Sequence, residues 1–144
     1  MNHFPEKLSL GLRGDPIRIL LDTCTFLWLV TDAPDLSETA KAAYLEASNE
    51  VFLSSVSCWE IAVKYALKRL SLPDSPDKFI PKLRDNHHID SLSLDEASVL
   101  HSVRLPLLHK DPFDRMLVSQ ALCHGFTILT PDPLILKYPV RTYW

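Results

Sequence analysis

The chain is short of several things, and each shortage removes a class of protein. It has only three cysteines, Cys24, Cys58 and Cys123, odd in number and far apart. They form no C-x-x-C pair, so neither a disulfide framework nor a thiolate zinc site is expected, and buried free thiols are the better reading. No apolar run approaches the roughly 20 residues that a membrane-crossing helix needs. Met1 to Asp15 lacks the charged-then-apolar order of a secretory signal, so a cytoplasmic location with no membrane partner is expected. Internal repeats, low-complexity tracts and an obvious linker are also missing. Basic excess is missing too, since 15 Lys and Arg against 18 Asp and Glu leave a formal charge of −3. That counts against a nucleic-acid protein bound by a broad basic face, unless carboxylates are gathered around a divalent cation that reverses the local field.

What is present is enough for one core. With 144 residues and 47% hydrophobic content, the chain has the makings of a single globular domain. Residues 16–144 are read as that domain and residues 1–15 as an N-terminal extension, loosely ordered or loosely docked. Ile17-Arg18-Ile19-Leu20-Leu21 is a short β-branched and apolar run, as in a strand buried on both faces. Helical patterns follow over Cys24 to Val30 and Ser37 to Ala47, with Ser37 as N-cap. Val51 to Ser54 reads as a second strand, and Cys58 to Leu70 as a helix ended by Pro73. A looser helix near Lys78 to Arg84, a strand around Ile89 to Leu94 and a helix from Asp95 to Val103 come next. Asp111-Pro112 opens a helix running to about His124, Gly125 fits its C′ position, and Phe126 to Leu129 forms a strand. A last short strand is expected near Val140 to Tyr143. Strands alternating with helices imply an α/β fold, a mostly parallel sheet covered on both faces.

Ligands of open parallel sheets bind at the carboxyl ends of the strands. Asp22 directly follows the first strand, and Asp132 follows the Phe126 strand through Thr130-Pro131. Glu60 and Asp114 fall in the first turns of helices that should face the same rim. Four acids from separated segments suit a hard, oxygen-seeking cation such as Mg²⁺ or Mn²⁺. Each also has a plain structural explanation. Asp22 can cap a helix, Asp132-Pro133 can be a turn, and Ser57-Cys58-Trp59-Glu60 has the form of a capping box. Asp114 is harder to dismiss, because it shares a helix face with Leu117, Val118 and Ala121. Asp111, with Pro112 after it, is the expected N-cap of that helix.

Ile19-Leu20-Leu21-Asp22-Thr23, Ser57-Cys58-Trp59-Glu60-Ile61, Asp111-Pro112-Phe113-Asp114-Arg115 continuing to Ala121, and Leu129-Thr130-Pro131-Asp132 together resemble the successive signatures of PIN-domain nucleases. The similarity is nearest to VapC-type toxins of VapBC toxin–antitoxin pairs and spans about Ile17 to Tyr143. It implies a PIN-like three-layer α/β/α sandwich and a Mg²⁺-dependent endoribonuclease, with Mn²⁺ able to substitute. RNA is the implied substrate, a VapB-like antitoxin the implied partner, and a homodimer a candidate assembly. By position, Asp22, Glu60, Asp114 and Asp132 become the catalytic, metal-holding acids, and Thr130 a supporting contact. Cys24 departs from the residue, often histidine, found there in related sequences.

Lys64, Lys68, Arg104, Lys110 and Arg115 are candidate RNA contacts, each equally explicable as solvated surface charge. Arg115, beside Asp114, is the preferred one, and His109 can reach the rim from its loop. His87-His88 lacks metal-ligand spacing. Two other acidic phosphate-handling folds fit poorly: Asp22-Thr23-Cys24-Thr25 lacks the second acid of D-x-D-x-T phosphotransferases, and Thr130-Pro131-Asp132 stands where a receiver domain carries lysine. A non-catalytic PIN-like module binding RNA or protein, and an RNA-processing nuclease outside a toxin–antitoxin pair, remain as alternatives. The complete set of four acids argues against the first.

Overall fold

The computed structural model describes residues 16–144, so the extension expected at residues 1–15 lies outside the described residues. Five strands and six α-helices alternate along it. They are β1 (Arg18–Leu21), α1 (Thr23–Val30), α2 (Glu38–Leu45), β2 (Glu50–Ser54), α3 (Ser55–Ala66), α4 (Pro76–Asn86), β3 (Asp90–Leu92), α5 (Glu96–Ser102), α6 (Pro112–His124), β4 (Thr127–Leu129) and β5 (Thr142–Tyr143). A 3₁₀ turn, Ile135–Lys137, separates the last two strands. Every pairing in the sheet is parallel, in the order β3-β2-β1-β4-β5. The chain therefore builds outward from β1 through β2 to β3, then returns to the other edge of β1 with β4. That reversal makes the gap beyond the carboxyl ends of β1 and β4 the topological switch point, where an open parallel sheet leaves a crevice.

Alternation along the strands divides the core into two layers. Ile19, Leu21, Val51, Leu53 and Leu129 face one side, where Phe26, Leu29, Ala40, Ala43, Ile61, Phe79 and Ile80 from α1 to α4 cover them. Leu20, Phe52 and Ile128 face the other, against Leu117, Val118 and Ala121 of α6. Central β1 is sealed from both directions, with Ile19, Leu20 and Leu21 fully buried. The three-layer sandwich follows from that continuous apolar run.

Local chemistry sets the helix ends. Ser37 caps α2 by accepting from the Ala40 amide, as expected, although the helix stops at Leu45 rather than near Ala47. α3 departs further. It starts at Ser55, three residues earlier than its sequence pattern suggests, because Ser54 is the N-cap and accepts from the Val56 amide. Ser57 thus lies inside the helix, and the expected capping box with Glu60 does not form. α3 ends at Ala66, well before Pro73: Lys68 takes a left-handed φ of 60°, and the Arg69 amide donates to the Lys64 carbonyl. This 6→1 closure, with the Lys68 amide donating to Tyr65, is a Schellman motif built without glycine. Gly125 closes α6 in the left-handed conformation, φ 72°, as expected. The cysteines depart from expectation: Cys24 and Cys123 are exposed on their helices, and Cys58 is half-buried where it packs against the margin of the core. Among the described residues, no helix is long and apolar enough to cross a membrane.

Candidate active site

β1 delivers Asp22 to the switch point, and the carboxylate has two local duties there. One oxygen accepts from the Thr25 amide at 2.7 Å, capping α1, and the other accepts from Thr130 Oγ1 at 2.6 Å. Thr130 follows β4, so this bond joins the ends of the two strands that flank the crevice. Its oxygen also accepts from the Asp132 amide at 3.0 Å, and Asp132 in turn accepts from the Leu134 amide at 2.9 Å. Thr130 thus positions both acids. Asp22 is only 6% exposed. Burial raises its pKa; the bonds from Thr130 and Thr25 oppose the rise, and nearby Asp132 adds to it.

Glu60 reaches the same region from the second turn of α3, not the first. It is buried, with Oε1 accepting from Thr23 Oγ1 at 2.6 Å and Oε2 lying 2.6 Å from Lys64 Nζ. Thr23 follows Asp22 directly, so a single β1–α1 junction orients two acids. Lys64 sits one turn along α3, the spacing at which a carboxylate and an ammonium face each other. The pair raises the Lys64 pKa, chiefly through the hydrogen bond to Glu60. Lys64 is therefore first a partner of Glu60.

The third contribution comes from the N-terminus of α6. Asp111 is the N-cap, accepting from the Phe113 amide at 2.8 Å and the Asp114 amide at 3.3 Å, with Pro112 at the first helical position. Asp114 stands on the sheet-facing side, and its Oδ2 is 2.9 Å from His109 Nε2. The same histidine nitrogen is 4.0 Å from Asp132 Oδ2, so His109 spans two of the acids. Burial first, then the charges of Asp111, Glu60 and Asp22, push the Asp114 pKa up to about 7, against the opposing bond from His109. Asp114 is thus electrostatically in touch with acids on β1, α3 and its own helix start.

Oxygen donors dominate this set, and burial aided by neighbouring carboxylates holds one carboxyl far above its ordinary range, so the residues present fit a hard divalent cation. The tightest group of ligand atoms among the described residues, all within 4.8 Å of one another, is that of His109, Asp111 and Asp114. The Asp111 carboxylate thus lies close to that of Asp114 while it caps the helix. Thr23 and the pairing role of Lys64 went unsignalled, because each depends on a contact between remote segments.

The basic candidates divide. Arg115 does not face the crevice as a free cation. Its guanidinium donates to the carbonyls of Ser102, Leu105 and Pro106 and to the Tyr138 hydroxyl, at 2.9 to 3.3 Å, fastening the α5–α6 connection. Four hydrogen bonds thus hold the guanidinium within the chain. Lys68, Arg104 and Lys110 are exposed. Cys24, beside Asp22, has its thiol pushed up to about 11 by burial and by the neighbouring carboxylates of Asp22 and Glu60. His87 bonds back to the Leu83 carbonyl, away from the acids.

A doubly wound parallel sheet with an acid-lined crevice at its switch point defines a class of α/β proteins that bind cations and phosphates. Within it the assignment is specific: the PIN-domain profile matches residues 19–139, and the chain belongs to the PIN-domain family. It is similar to ribonuclease VapC22 of Mycobacterium tuberculosis, 25% identical over 115 residues that cover 79% of this chain and 86% of the relative. It is also similar to ribonuclease VapC16 of the same organism, 30% identical over 69 residues. That match covers 48% of this chain and spans about half, 49%, of VapC16. The fold resembles that in VapBC2 from Rickettsia felis bound to promoter DNA, with a TM-score of 0.67 at 14% identity, covering 88% of this chain and 97% of that one. It also resembles DNA-bound VapBC from Salmonella typhimurium, with a TM-score of 0.62 at 18% identity and coverages of 88% and 96%.

Proposed function

We propose that this protein is a divalent-metal-dependent endoribonuclease of the VapC type, the toxin of a toxin–antitoxin pair, acting in the cytoplasm with Mg²⁺, or Mn²⁺ in its place. The observation that carries the reading is the gathering of acids from separate segments at one crevice, where burial and then the charges of Asp111, Glu60 and Asp22 push the Asp114 pKa up to about 7. PIN-family membership and the named ribonuclease relatives support the activity, and the VapBC neighbours support a VapB-like antitoxin as partner.

Asp22, Glu60, Asp114 and Asp132 would hold the cation. When bound, it supplies positive charge at the scissile phosphate and a means of ionising water near neutral pH. The chain supplies orientation. Thr130 and the Thr25 amide fix the two oxygens of Asp22, Thr23 and Lys64 fix those of Glu60, and His109 fixes Asp114. Burial and neighbouring charge favour a proton on Asp114, and a bound cation would compete for the same oxygens. Exposed Lys110 and Arg104 are available to RNA phosphates.

Chelation should abolish cleavage of RNA by the purified chain, and added Mg²⁺ or Mn²⁺ should restore it; cleavage that persists in chelator removes the metal mechanism. Expression of the chain alone should arrest growth, with rescue by a co-expressed antitoxin or by Asp22→Asn. If the chain is harmless and Asp22→Asn behaves identically, the toxin role is wrong.

A further inference from the structure

We propose that Lys64 is a built-in cation of the acid crevice, standing where a second divalent ion would otherwise be needed, so that the site takes one ion per chain. The inference rests on the metal-dependent nuclease reading above.

The four acids are not partnered alike. The two oxygens of Asp22 meet the Thr25 amide and the Thr130 hydroxyl, Asp132 accepts from the Leu134 amide, and Asp114 faces the His109 imidazole. Glu60 differs, because Lys64 Nζ lies 2.6 Å from its Oε2. Among the described residues, Lys64 is the one lysine or arginine paired with any of the four.

The pair is also unlike an ordinary surface bridge. The Glu60 side chain is 6% exposed, and its other oxygen accepts from Thr23 Oγ1 at 2.6 Å, so the carboxylate is held in place from the β1–α1 side. The Lys64 side chain, 43% exposed, comes in from the mouth of the crevice to meet it, and one turn of α3 sets the reach. Its charge is felt beyond Glu60. Asp111 at the start of α6 acts on the ammonium, and the ammonium in turn opposes the upward push on the Cys24 thiol beside Asp22.

Charge then limits the number of ions. Two-ion sites use the second cation to balance clustered carboxylates and the charge that builds on a scissile phosphate. A carboxylate offers about four lone-pair positions, so Glu60, with Thr23 and Lys64 bound, can still share one ion. A second divalent ion would have to approach the same carboxylate against an ammonium that the helix tethers there. Like charges at that range repel most where water is scarce, and Glu60 is buried. The lysine therefore supplies part of what the second ion would bring and excludes it.

The test titrates Mn²⁺ into the metal-free full chain and reads the free ion by electron paramagnetic resonance. Wild type and Lys64→Arg should bind one ion per chain, and Lys64→Gln should bind a second. Cleavage reports the same exchange: Lys64→Gln should lose roughly tenfold at limiting Mg²⁺ and recover as Mg²⁺ is raised, with a steeper than first-order dependence on the ion. A lysine that only contacted RNA, or only steadied α3, would give neither the extra ion nor the recovery. Thermal unfolding checks the fold of each variant. Should Lys64→Gln be unfolded, Lys64→Met, which keeps the apolar stem, carries the same comparison. Two ions on the wild type, or one on a folded charge-removing variant, overturns the built-in cation, and the nuclease reading stands if cleavage still needs metal. A wild type that binds no ion and cleaves no RNA overturns both.

Discussion

The two ends of α6 handle charge in opposite ways. At its C-terminus His124 lies 2.9 Å from Asp95, and the His124 carbonyl accepts from Arg18, whose guanidinium also sits 4.2 Å over the Phe126 ring. The Arg18 guanidinium there complements the negative end of the helix dipole. At its N-terminus Asp111 and Asp114 sit at the positive end of the dipole, which favours them, yet Asp114 is largely buried and also feels the charges of Asp111, Glu60 and Asp22. The dipole's help is outweighed, because Asp114 is still driven to about 7. One end is resolved within the chain, and the other is left in a conflict that an added cation would relieve. Such unresolved charge in an otherwise consistent fold is where function is expected.

The sharpest way to break this contrast is at Asp114. Asp114→Asn should lower RNA cleavage by roughly a hundredfold or more while leaving the protein folded, since it removes a proposed ligand together with a strongly perturbed charge. Asp111→Asn keeps the cap and should retain far more activity, measured in the same cleavage assay. A dead Asp111→Asn beside an active Asp114→Asn would reverse their roles.

Arg115 tests whether the residue after Asp114 serves substrate or structure. Arg115→Ala should cost about 2 kcal/mol of stability, seen in denaturant unfolding, because it strands three carbonyls and a hydroxyl at the α5–α6 connection. RNA affinity, measured below the unfolding range, should change little. Asp111→Ala should then cost roughly 0.5–2 kcal/mol for a lost cap. His124→Ala, at the resolved end, should leave both stability and cleavage within error of wild type, since its partner Asp95 is solvent-accessible.

Much of this was readable in advance, for reasons that also explain what was not. β1 and β4 were legible because each is an apolar run buried on both faces, and the acids at or just after their ends followed at once. Asp111 as cap and Asp114 inside the helix were legible from Pro112 and the spacing to Leu117 and Val118. The start of α3 was not, because Ser54 and Ser57 are equally good caps locally and only the strand pairing that carries β2 to Ser54 separates them. The Arg115 clamp was not legible for a similar reason: its partners on residues 102–106 and Tyr138 are fixed by tertiary packing. The exposure of Cys24 and Cys123 and the reach of His109 to two acids likewise depend on how the helices lie against the sheet.

The central claim is that the N-terminal end of α6 holds mutually repelling carboxylates that a divalent cation relieves, and pH separates this from ordinary stability. Folding raises the Asp114 pKa from 3.8 to about 7, so the folded state holds the extra proton. The stability this contributes is full below the ordinary carboxylate value and is lost as pH rises through about 7. Thermal unfolding of the wild type and of Asp114→Asn, followed from about pH 5 to about pH 8 with and without Mg²⁺, reads the effect directly. The account predicts that the metal-free wild type loses stability relative to Asp114→Asn as pH rises, and that Mg²⁺ restores it most at the alkaline end. Parallel curves for the two proteins, with no response to Mg²⁺, would contradict it.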